Sequence, residues 1–150
     1  MKYELVIEEG TRFKRIKAIR DIPKYNVKSG DLGGYIASES NLSQANDAWV
    51  FDDAVVSGNA WVSGNARVSG NARVSGNARV SDNAWVSDNA WVSGNAWVSG
   101  NAWVSLGKYI CCIGVADGWW KSLVNVNGVA YIEAGCRSFN LDDAYNYWSN

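Results

Sequence analysis

The sequence predicts an all-β solenoid of about three to four triangular coils, and three observations carry that expectation. Between Ala48 and Gly107 one six-residue phrase, Ala-x-Val-Ser-Gly-Asn, runs ten times without an insertion. The valines from Val50 to Val104 recur at a strict step of six, each with an Ala two residues before it. The units close on Gly, Asn or Asp, and a period of six fits neither a helix nor a heptad, so helix is excluded.

Residues 1–47 read as an N-terminal β cap and lead-in. Stretches 3–8 and 13–19 alternate as strands do, around a Glu9-Gly10-Thr11 turn. Lys28-Ser-Gly-Asp-Leu-Gly-Gly-Tyr-Ile36 follows, and its glycines are expected to mark tight turns where the array begins. A phosphate-cradling loop is the alternative there, but the Gly-Lys-Ser/Thr ending and a following helix are missing.

Residues 48–107 are the array. Ala and Val, two apart, share one side of a short strand, with the residue between them facing away. Ser-Gly-Asn then turns the chain, because Gly and Asn enter left-handed backbone cheaply. Three such sides close an eighteen-residue coil, and successive coils stack as parallel strands ~4.8 Å apart.

Residues 108–150 read as a C-terminal β/α cap. Strands are expected at 109–115, 119–126 and 129–133, with Asn127-Gly128 as a hairpin turn. A short helix is expected over 140–148, capped by Asn140 with Asp142 and Asp143 in its first turn. Such an end piece suits a solenoid, whose open coil exposes unpaired strand edges.

Composition narrows the function classes. A chain of 150 residues suits one domain. A net charge of −1 excludes a polybasic nucleic-acid binder and a polyacidic mimic. The mildly basic stretch 1–36 is too mixed for a phosphate-binding arm and reads as solvated surface. No apolar run spans a bilayer and no signal-peptide pattern opens the chain. Cys111, Cys112 and Cys136 form no metal-type spacing, so a reduced, cytoplasmic setting is expected, with these thiols as small buried hydrophobes. A pairing of Cys136 with Cys111 or Cys112 across a sheet is the alternative.

Val-Ser-Gly-Asn-Ala-Arg resembles the hexapeptide pattern of left-handed parallel β-helix proteins. The stretch Lys28-Ser-Gly-Asp-Leu-Gly-Gly-Tyr-Ile36, with Asn41-Leu-Ser-Gln, Ala48-Trp-Val and Gly135-Cys-Arg-Ser-Phe-Asn-Leu-Asp-Asp-Ala, resembles an uncharacterised hexapeptide-repeat group carried by phages and other mobile elements. The resemblance implies a left-handed coil and a phage or prophage setting in a bacterial cell. Better-known members of the wider superfamily are acyltransferases and γ-class carbonic anhydrases, whose chemistry rests on histidine. This chain has none. Its array also lacks Glu, Lys and Cys, and the acids there, Asp52, Asp53, Asp82 and Asp88, stand at turns. No enzymatic activity, cofactor or metal is expected, and acyl transfer is the least expected reading.

The free letter x carries the functional expectation. It reads Trp49, Val55, Trp61, Arg67, Arg73, Arg79, Trp85, Trp91, Trp97, Trp103. Sorted by eighteen, these make three columns: Trp49–Arg67–Trp85–Trp103, Val55–Arg73–Trp91 and Trp61–Arg79–Trp97. Each Arg falls between apolar neighbours, where guanidinium–indole stacking can stabilise the surface by itself. So much Trp is also more apolar area than a monomer leaves wet, which calls for a cover. The expected covers are another copy in a dimer or trimer, a host protein, or a flat small nucleotide. The leading expectation is a non-catalytic interaction module of phage type that antagonises host defence through a protein partner. Alternatives are a self-assembling polymer and a nucleotide sponge. The arginines belt one coil and do not track along a face, which disfavours nucleic acid. Flat ice-binding arrays use Thr, which the array lacks.

Overall fold

The structure is a computed structural model that describes residues 1–105 with their side chains and, beyond them, the backbone of four strands between 108 and 140. Strands β1 (Tyr3–Ile7) and β2 (Lys14–Ala18) form the antiparallel hairpin that the alternation predicts, with Gly10 at a positive φ of 84° in its turn. Strand β3 (Leu32–Ile36) pairs antiparallel with β2 and parallel with the array.

Each hexad then contributes one short strand. These are β4 (Trp49–Val50), β5 (Val55–Val56), β6 (Trp61–Val62), β7 (Arg67–Val68), β8 (Arg73–Val74), β9 (Arg79–Val80), β10 (Trp85–Val86), β11 (Trp91–Gly94), β12 (Trp97–Val98) and β13 (Trp103–Val104). Every third strand pairs in parallel, so the chain is the all-β parallel solenoid expected. The first side stacks β4-β7-β10-β13 and the third β6-β9-β12. The second side, β5-β8-β11, lies inside a ten-stranded sheet that β1, β2 and β3 extend at one end. Pairing starts before Ala48, since Tyr35 is in register with Val55 and Leu42 bridges to Val62.

The bore is filled by the two fixed apolar letters. Ala48 to Ala96 and Val50 to Val92 are at most 1% exposed. Small and β-branched residues suit it because three sides converge on one axis and each coil must match the next at close packing.

The corners refine the expectation about Asn. The left-handed residue is the Gly, or the Asp that replaces it: Gly58, Gly64, Gly70, Gly76, Gly94 and Gly100 have φ of 64–68°, and Asp52, Asp82 and Asp88 have 53–60°. The Asn after it has another task. Asn59, Asn77 and Asn95 link amide to amide up one corner, and Asn65, Asn83 and Asn101 up another, at 3.1–3.4 Å. The corner acids serve the backbone too, as Asp52 and Asp82 accept from the N–H of Gly70 and Gly100 one coil on.

Gly33 and Gly34 correct the reading of the lead-in. They are strand residues of β3, not turn residues, and no helix follows them. A Cβ on Gly33 would lie 2.5 Å from the Val50 carbonyl, and one on Gly34 2.7 Å from the Val50 side chain. Glycine stands there so that β3 can lie against the first coil.

Two polar side chains finish that end of the bore. Asn41, fully buried, donates to the Gly58 and Ala60 carbonyls at 3.0 and 2.8 Å and accepts from the Ser38 N–H. Lys2, also fully buried, donates its Nζ to the Ala48 carbonyl at 2.6 Å. Burial, helped by the Arg20 charge, lowers the Lys2 ammonium to about 8. Between about pH 8 and 10.5 the unfolded chain therefore holds this proton while the folded chain has released it, so stability rises with pH across that window. The full rise is about 3 kcal/mol. Burial holds the Tyr3 phenol protonated up to about 12, so stability falls again above pH 10. Urea titrations from pH 7.5 to 10 should show the rise in the wild type and a flat line in Lys2→Met. An equal slope in both would refute the assignment.

At the other end β14 (Lys108–Ala116) pairs in parallel with β11, then β15 (Trp119–Val126), β16 (Val129–Ala134) and β17 (Arg137–Asn140) follow antiparallel. The first three are the strands expected. β17 was not anticipated, and Asn140 closes it. The rest of the helix expected over 140–148, the Asn127-Gly128 turn and Cys136 lie outside the described residues. Cys111 and Cys112 are neighbours on β14.

Candidate functional site

The strand register places the free letters in the three columns that the period of eighteen predicts. On the first side Trp49 stands beside Arg67, Arg67 beside Trp85, and Trp85 beside Trp103. On the second Val55, Arg73 and Trp91 align, flanked by Tyr35 and Tyr109. On the third Trp61, Arg79 and Trp97 align. What differs is how the columns are covered.

Trp49 is corrected from an outward residue to a buried one, at 1% exposure. Tyr3 packs edge-on against its ring, with centroids 6.4 Å apart. The lead-in thus covers the first indole of the first side.

Arg67 is stacked on both faces, but not by the pair that register alone suggests. Its guanidinium carbon lies 4.5 Å from the Phe51 ring centroid and 4.8 Å from that of Trp85. Trp85 continues the pile onto Trp103, with centroids 5.1 Å apart and planes 10° from parallel. Long side chains lean along the strand, so Arg67 reaches the residue two places beyond Trp49 in the coil below. The signal was present in the sequence, since Phe51 replaces the Ser of its hexad.

The same lean explains the Ser of the repeat. The indole N–H groups of Trp85, Trp91, Trp97 and Trp103 donate to Ser69, Ser75, Ser81 and Ser87 in the preceding coil, at 3.0–3.4 Å. This fixes each ring upright. Its face is turned along the coil axis and its edge outward.

The first side is also crossed by a 3-10 turn, Pro23–Tyr25. Tyr25 sets its ring edge-on to Phe51 and donates its hydroxyl to the Asn65 carbonyl, while Lys24 reaches Asn83 at 3.0 Å. Burial, the largest influence, raises the Tyr25 phenol above its ordinary range, and Arg67 opposes that rise. Arg67 Nε is buried without a hydrogen-bond partner, a cost offset by the two rings that sandwich the ion.

The third side is different. Trp61 is 45% exposed and Trp97 64%. Among the described residues neither Arg73 nor Arg79 lies over a ring or in an ion pair. The belt of three arginines therefore resolves into one clamped ion and two presented ones.

Chemistry has little to work with in the described part. There is no group of three or more His, Cys, Asp or Glu residues placed to hold a metal among the described residues. The corner acids bond to turn backbone and serine. No helix of the described residues is long and apolar enough to cross a membrane.

Fold and columns together define a class, a β-solenoid repeat protein whose sides are faced with tryptophan and arginine. A family model described as the YdcK beta solenoid repeat matches the array in three overlapping stretches, residues 62–74, 66–79 and 72–88. These stretches centre on the arginine-bearing coil. No curated protein matches the chain.

Proposed function

We propose that this chain is a non-catalytic interaction module that offers the Trp61–Arg79–Trp97 side to a protein partner. One contrast supports the reading. The tryptophans of the first side are packed by the chain itself in Trp49 and Trp85, whereas Trp61 and Trp97 stay exposed around an unpaired Arg79. Trp and Arg are the residue types that dominate binding energy at protein interfaces. Rings fixed upright by serine bonds lose little freedom on binding. A host protein antagonised by a phage-borne module is the partner that fits the sequence resemblance.

A head-to-tail polymer is disfavoured by the closed first end, where Lys2 and Asn41 already occupy coil carbonyls. The test is affinity capture from a bacterial lysate with wild type, Trp61→Ser/Arg79→Ser and Arg73→Ser. The expected result is a set of proteins lost with the double variant and kept with Arg73→Ser. Capture that is identical for all three would end the proposal.

A further inference from the structure

The two ends of the coil stack are not alike. At the first end the carbonyls of Ala48, Gly58 and Ala60 are taken by Lys2 and Asn41, and β3 lies across Val50. At the last end β12 and β13 are the final members of their sheets.

The repeat says what this leaves open. In each coil the residue at x sends its N–H to the following coil: Arg67 to Ala84, Arg79 to Ala96, Trp85 to Ala102. The Ser two places on does the same, Ser81 to Val98 and Ser87 to Val104. For Trp97 and Ser99 in the last coil, no strand follows among the described residues. The side chains around this edge are the least covered of their kind. Trp97 and Trp103 are the most exposed tryptophans described, at 64% and 59%. Ala102 is exposed, where every earlier Ala of the array is buried.

We propose that two copies of this chain meet tail to tail across this end, β12 of one pairing antiparallel with β12 of the other about a two-fold axis. The proposal goes beyond the reading above and needs no foreign partner. An open strand edge is completed by another strand, because only extended backbone matches its row of donors and acceptors. In a parallel ladder the N–H and C=O of Trp97 both face the missing coil. An antiparallel partner residue directly opposite exchanges both bonds at once. Trp97 set against its own copy meets that requirement, which makes the edge self-complementary. Two rigid coil ends also meet with no segment left to order. Copies cannot instead add head to tail, because the first end has no free edge of this kind.

Sedimentation velocity of the full chain over a concentration series tests this. Wild type should sediment at about twice the monomer mass. Trp97→Lys should sediment as monomer, since it places like charges directly opposite each other. Trp61→Lys, on the same side but away from the end, should remain dimeric. Lysine at x should leave the fold intact, as arginine already occupies that letter in three hexads. Amide exchange on the wild type gives a second readout that needs no variant: Trp97 and Ser99 N–H should be protected in the dimer and exchange freely on dilution. The proposal is overturned by a wild-type monomer at every concentration, by species that grow without limit, by a dimer that survives Trp97→Lys, or by unprotected Trp97 and Ser99 amides. Neither capture variant touches Trp97, so loss of the foreign partner and loss of the dimer are told apart.

Discussion

Gly64→Val is expected to cost about 4 kcal/mol, and Gly100→Ala only about 1. Both glycines hold left-handed backbone, with φ of 64° and 67°. Any L-residue pays for that conformation, and a β-branched one pays more. The difference between the two lies in the next coil. A Cβ at Gly64 would sit 2.8 Å from the Asp82 amide nitrogen and 3.1 Å from its carbonyl oxygen, both backbone atoms held in the ladder. At Gly100 nothing lies within 4 Å. Asp82 tolerates the same backbone in the same corner column because its carboxylate reaches over to the Gly100 N–H at 3.0 Å. Valine has no such bond to offer. Thermal unfolding should place Gly64→Val about 10 °C or more below wild type. Equal melting temperatures for the two variants would show that coil stacking at the corners is looser than described.

Asn41→Leu is the second large effect, expected at about 3 kcal/mol. The buried amide makes three hydrogen bonds, two of them to carbonyls of the first coil. Leucine keeps the volume and leaves the Gly58 and Ala60 carbonyls unpaired at the end of the bore. Leaving buried acceptors unsatisfied costs more than the bonds contribute when made. Urea unfolding measures the loss, and amide exchange should place the first opening at the lead-in and first coil. Asn41→Ala, with room for water, is expected to lose less. A Leu variant as stable as wild type would mean that these carbonyls find other partners.

The side order of the array was legible because it follows from counting. Strand, turn and strand repeat at six, three sides make eighteen, and the columns Trp61–Arg79–Trp97 and Val55–Arg73–Trp91 appear as written. The bore was legible for the same reason, since Ala and Val alternate with a residue that must face away. The N-terminal hairpin was legible from its alternation and its Gly10 turn.

Other features were not. The period treats all ten x positions alike, yet Trp49 is buried and Trp97 exposed. That difference comes from residues far away in sequence, Tyr3 and the Pro23–Tyr25 turn, folding back over the first side. The stacking partner of Arg67 was missed because register gives the neighbouring backbone, while the lean of a long side chain gives the neighbouring ring. Gly33 and Gly34 read as turns since glycine is the commonest turn signal, but here the need is for space against Val50 and Ile16.

The sequence by itself determined the repeating unit: which letters go inside, where the chain turns and which residues share a side. Local sterics and a strict period suffice for that, because each coil repeats the constraints of the one before. Only the tertiary structure decided which sides are covered and how the two ends differ. Those depend on contacts between segments tens of residues apart, such as Lys2 with Ala48 and Asn41 with Ala60, for which a repeat carries no code.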